Sequence, residues 1–115
     1  MAEVFKNNNA VAGRAITSSE QDLYSCPSGK TAVVLSCRIT NIDGTNDDTV
    51  TVKVTDTSNT NIAHIASTIN VPADSTLELA GASKIVLEAT QKLRVTGGAA
   101  SGDLEGFVSV LEIDN

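Results

Sequence analysis

The stretch Leu23–Thr40, LYSCPSGKTAVVLSCRIT, decides the fold. Val33, Leu35, Cys37 and Ile39 fall on one face of an extended chain, and Val34, Ser36, Arg38 and Thr40 on the other, the period-two alternation of a strand. Pro27-Ser28-Gly29 stands in front of it as a corner, proline fixing one dihedral and glycine tolerating positive φ. The reading is a short strand ending at Ser25, the corner, and a long strand from Lys30 to about Asn41. No reacting group in the stretch sits beside a partner.

The same alternation continues on the carboxyl side. NIDGTNDDT, Asn41 to Thr49, is dense in turn formers and reads as a loop. TVTVKVTD follows with Val50, Val52 and Val54 on one face and Thr49, Thr51, Lys53 and Thr55 on the other. TSNTN then closes a hairpin onto IAHIASTINV, which is expected to be bent or bulged because its apolar spacing slips between Ile62 and Ile65. Pro72-Ala73-Asp74 makes a second corner, and STLELA directs Leu77 and Leu79 inward and Glu78 outward. KIVLEA and KLRVTG read as a hairpin around Thr90-Gln91. GGAASGD, Gly97 to Asp103, reads as a flexible tip. The last strand, LEGFVSVLEI, is apolar on both faces over Phe107 to Leu111, which suits a central position or a subunit contact.

On the amino side, Met1 to Asn9 is too polar to pack as a core element and reads as an arm, and AVAGRAIT, Ala10 to Thr17, as a first edge strand. The whole is an all-β chain, an antiparallel β-sandwich or jelly roll of about eight to nine strands in one domain, 10–115, preceded by the arm 1–9.

Composition narrows the functions. The 115 residues include two Phe, one Tyr and no Trp, so a stacking platform for sugars or single-stranded nucleic acid is hard to build. Fourteen acids against eight bases give a net charge of −6, which repels a phosphate backbone. No apolar run reaches the ~18 residues of a membrane span, and MAEVFKNNNA holds no signal-peptide core. The expectation is a soluble protein made in a cytoplasm, with neither nucleic acid nor membrane as partner.

The candidate sites are few. Cys26 and Cys37 are separated along the chain by on the order of 20 Å if the long strand is regular, too far for a simple bridge. Cys37 reads as a buried thiol, while Cys26, at the corner, is open to a disulfide with a neighbour. Asp43, Thr45, Asn46, Asp47 and Asp48 hold the oxygens of a calcium loop but not its spacing, and read as a solvated turn. His64 is the only histidine, so no zinc cluster or histidine triad can form within one chain. Lys84, Lys92 and Arg94 read as a mild basic cluster on a solvated face. No catalytic residue, cofactor site or metal site is expected, and the chain does not read as an enzyme. The surfaces expected to meet other proteins are the arm, through Val4, Phe5, Lys6 and Asn7, the corner thiol Cys26, and the two-sided last strand at Phe107.

The order of pieces then carries a resemblance. LYSCPSGKTAVVLSCRITN, a threonine and valine hairpin, VPADSTLEL, and KIVLEATQKLRVTGGAASGDLEGFVSVLEI resemble the small β-sandwich virion proteins of tailed bacteriophages over about Asp22 to Ile113. The resemblance implies a structural protein of the virion, foremost a decoration or cement protein on the outside of the major capsid protein lattice, with a neck or tail role as the alternative. It implies as partners the major capsid protein and copies of the chain itself, as a dimer or trimer, and a place on the capsid surface. The two cysteines depart from the commoner pattern. The rival of another class is a host-surface or carbohydrate-binding module, for which the same sandwich would serve.

Overall fold

In the computed structural model, which describes residues 3–7, 15–80, 83–99 and 102–115, ten strands form two antiparallel sheets with the core between them. They are β1 (Glu3–Asn7), β2 (Ala15–Ile16), β3 (Gln21–Ser25), β4 (Lys30–Asn41), β5 (Asp48–Thr55), β6 (Asn61–Val71), β7 (Thr76–Glu78), β8 (Ile85–Leu87), β9 (Lys92–Gly97) and β10 (Leu104–Asp114). The first sheet runs β1-β10-β4-β7, with β2 also on β10 and β8 also on β4; the second runs β3-β9-β5-β6. The sandwich expected from the alternation is therefore present. No α-helix occurs among the described residues.

The decisive strand carries a bulge that its alternation conceals. Ser36 pairs with Ser109 and Val34 with Val110, so Leu35 is the extra residue on β4. An extra residue moves everything beyond it to the other face. Cys37 and Ile39 point into the core as expected, but before the bulge it is Ala32 and Val34 that are buried, all four at 0% exposure. Val33 and Leu35, expected inside with them, belong to the outer face. Each large apolar side chain buried this way contributes about 1.5–3 kcal/mol, enough to select this register.

Both proline corners form: Lys30 N donates to Pro27 O and Ser75 N to Pro72 O. Gly29 sits at φ 80°, the left-handed region that explains a glycine there. The hairpin of β5 and β6 is also present, with three register shifts. The expected hairpin of KIVLEA with KLRVTG is not. β8 pairs with β4 in the first sheet and β9 with β5 and β3 in the second, so Glu88 to Gln91 carries the chain across the sandwich. That corner is tied to the other one: Cys26 N donates to Gln91 O and Thr90 N to Cys26 O. Two short apolar runs joined by a turn look alike whether they pair with each other or cap two sheets; the long strands already waiting in each sheet decide it.

β10 is central, between β4 on one side and β1 and β2 on the other, one of the two roles its apolar faces suited. Its inward residues Leu104, Val108 and Val110 are fully buried. Gly106 is the inward exception, because a side chain there would meet Leu23 at 2.9 Å. The segment read as an arm is, over Glu3–Asn7, an edge strand on β10 whose five side chains are all exposed. The edge strand expected over Ala10 to Thr17 is described only from Ala15, where Ala15 and Ile16 pair with Glu105 and Leu104. Its residues 10–14, the arm residues 1, 2, 8 and 9, and positions 100 and 101 of the glycine-rich tip lie outside the described residues.

Candidate interaction surface

Pairing across an antiparallel sheet puts directly opposed residues on one face, so the registers of the first sheet can be read as rows. Phe5 opposes Leu111, Leu111 opposes Val33, and Val33 opposes Val86. This apolar row crosses four strands on the outer face. Phe5 is 74% exposed and Val86 57%. A parallel row runs Phe107, Arg38, Glu78, with Phe107 44% exposed. Between the two rows lies a shallow groove of about 270 Å³, lined by Phe5, Lys6, Asn7, Leu35 and Phe107 among others.

The bulge builds one wall of that groove by turning Leu35 outward. Lys84 fixes the bulged backbone, its ammonium donating to Leu35 O at 3.1 Å. Glu78 fixes the far side. Its carboxylate accepts from Ser36 Oγ, Arg38 Nε and the amides of Cys37 and Ala80. Burial by itself would raise the Glu78 pKa, but these donors outweigh it and hold the group ionised below its usual range. Both sets of bonds brace β4, the strand that carries the Leu35 wall of the groove.

Behind β1 lies a second polar group. Glu112, inward on β10, has a side chain only 3% exposed, with Oε1 3.0 Å from Lys6 Nζ. Its Oε2 accepts a hydrogen bond from the buried Tyr24 hydroxyl. Burial would raise the carboxyl pKa, but the tyrosine hydroxyl and Lys6 bring it below the ordinary value. Burial and the same carboxylate push the tyrosine upward. This is a clamp joining β1, β3 and β10. Its carboxylate is enclosed between β1 and the core, while the Lys6 side chain stays half exposed.

Of the surface residues expected from sequence, the structure brings Phe5, Lys6, Asn7 and Phe107 to one groove. Val4, 41% exposed, lies on the other side of β1, the side from which the Lys6 ammonium reaches Glu112. Cys26 is not with them. It is 2% exposed, and its Sγ lies 3.4 Å from Lys30 O, so the corner thiol expected to face a neighbour is turned inward. A disulfide through it requires the corner to open. Both cysteines are free; burial raises the pKa of each, that of Cys37 to about 12.

The calcium-like loop is a self-satisfied turn. Asp43 Oδ1 accepts from the amides of Thr45 and Asn46, and Asp47 Oδ1 from Ala73 N. Asn41 anchors it from the core, donating to Asn46 O and Val71 O while accepting from Asp43 N. The basic cluster is dispersed: Lys92 and Arg94 lie on β9 against Glu20 and Asp22, whereas Lys84 serves the other sheet. His64 is exposed on β6, opposite Lys53. No group of three metal-ligating side chains occurs among the described residues. Sequence reasoning missed Leu35, Val33, Val86 and Glu112; the run of three apolar residues Val33-Val34-Leu35, which no regular strand alternation accounts for, was the available signal for the first two.

No known family model matches this chain, and no curated protein matches it by sequence. Solved structures do. A Bacillus endospore appendage protein, from a family of disulfide-linked pili, superposes with a TM-score of 0.53 at 15% identity, over 98% of this chain and 85% of that one. A protein of the T13 particle of infectious bursal disease virus superposes with a TM-score of 0.51 at 10% identity, over 95% of this chain. This chain spans 31% of that viral protein's length. What is shared is the fold. It is a fold found in proteins that build a pilus and a viral particle.

Proposed function

We propose that this chain is a non-enzymatic structural protein that assembles in many copies on a virion, as a bacteriophage capsid decoration protein seated on the outside of the major capsid protein lattice. The observation that carries the reading is the apolar row Phe5, Leu111, Val33, Val86 on the open face of a bonded sheet. Such a face is presented already ordered, so docking it costs little conformational entropy. The fold found in a viral-particle protein supports the class of role. Electron microscopy of the source particle tests it: this chain in a regular lattice on the head is the expected result, a single ring at the portal moves it to the neck, and its absence from virions overturns the reading.

One observation favours a second reading, that of a filament subunit. The pilus protein is matched over 85% of its length, the viral one over 31%. In that reading Cys26 and Cys37, both buried, are not the links as they stand. Filaments grown from purified chain under reducing conditions would favour it over decoration.

A further inference from the structure

We propose that β1 is an exchangeable strand, and that Glu3–Asn7 of one copy occupies the β10 edge of a second copy in the register it holds on its own. The partner is another molecule of this chain, whatever particle or filament it serves. Three observations carry the proposal.

First, β1 joins the described residues through its edge. All five of its side chains are exposed, and it is held by backbone pairing with Ser109 to Ile113 and by Lys6 on Glu112. Every one of those contacts is available, unchanged, from an identical molecule, which is the condition under which exchange of an element is cheap.

Second, the β10 edge demands a strand of this kind. Without β1, the Glu112 carboxylate loses the Lys6 ammonium 3.0 Å from its Oε1 and keeps only the Tyr24 hydroxyl and the charge of Lys30, while the inward face of the edge opens to water. The edge is therefore filled, by its own β1 or a neighbour's. It selects a strand with a cation opposite Val110, and Lys6 is the residue β1 places there.

Third, geometry permits and rewards the exchange. The seven residues 8–14 join β1 to β2, a connection that reaches at most about 25 Å when extended. Two exchanged molecules are thus held close together. In its own edge β1 leaves Phe5 74% exposed, at the end of the apolar row that an adjoining body would cover.

Two experiments test it. Phe5 and Leu111 are directly opposed, at the separation a disulfide spans. F5C chains and isotopically labelled L111C chains are mixed at high concentration and gently oxidised. A crosslink between the labelled and unlabelled chains, found by peptide mass spectrometry, is expected; its absence, while the double variant F5C/L111C closes only within single chains at every concentration, overturns the proposal. The second experiment exchanges charge. K6E alone sets acid against acid and E112K alone base against base, but the strand of each matches the edge of the other. Sedimentation should show a one-to-one dimer on mixing that neither variant forms alone, and association indifferent to mixing would overturn it. Should E112K fail to fold, the crosslinking result decides.

Discussion

Glu112 shows how a single residue couples an edge strand to the core. Removing the Tyr24 hydroxyl by Y24F leaves a buried carboxylate oxygen without its donor, and urea unfolding should register a loss of about 1–3 kcal/mol at neutral pH. The pH dependence has a definite sign. The folded Glu112 carboxyl lies below the unfolded value near 4.5, so its contribution is complete above that value and is lost as pH falls through the lower folded one. The stability difference between the native chain and E112Q should therefore shrink on acidification below about pH 4.5; a difference constant from pH 7 to pH 3 would mean that the clamp carries no charge coupling. The cysteines give a second test at this scale. With Cys26 2% and Cys37 0% exposed, and both thiols shifted upward, a maleimide reagent should leave native protein unmodified and add twice after unfolding. Rapid single labelling of the folded chain at Cys26 would show the corner to be open.

At the scale of the element, the bulge in β4 makes a prediction that no propensity contains. Deleting Leu35 removes the extra residue, leaving Val34 opposite Val110 and Ser36 opposite Ser109 without reversing either half. The variant should fold, with one wall of the groove gone. Val34→Asp places a charge at a position 0% exposed and should cost several kcal/mol or abolish folding, whereas Val33→Asp on the outer face should cost little; equal thermal stability of these two substitutions would contradict the assigned register. The crossing at Glu88 to Gln91 holds Thr90 at φ 69°, a strained conformation for a β-branched residue. Thr90→Asn, which tolerates that region better, should stabilise the chain by roughly 1 kcal/mol, visible as a rise in Tm.

For the whole molecule the consequence lies on the outer face. Phe5 and Val86 are more than half exposed, so F5S and V86D should leave the melting temperature nearly unchanged, within about 0.5 kcal/mol. Their effect belongs to association: self-assembly or particle binding should weaken tenfold or more. Loss of thermal stability with unchanged association would assign these residues to the fold instead of to a surface. The net charge of −6 adds an ionic-strength dependence, since salt screens repulsion between crowded acidic copies.

By itself the sequence determined the sandwich, its two proline corners, the β5–β6 hairpin, and the core placement of Val50, Val52, Val54, Cys37 and Ile39, and it left β10 as either a central strand or a subunit contact. These follow from local alternation and turn chemistry, which act over a few residues. Only the tertiary structure decided that Leu35 is bulged, that KIVLEA and KLRVTG part to opposite sheets, that Cys26 turns inward, and that residues from β1, β10, β4 and β8 line up as one row. Each of those depends on which strand lies alongside which, and pairing between segments far apart in the chain leaves no periodic mark in either of them.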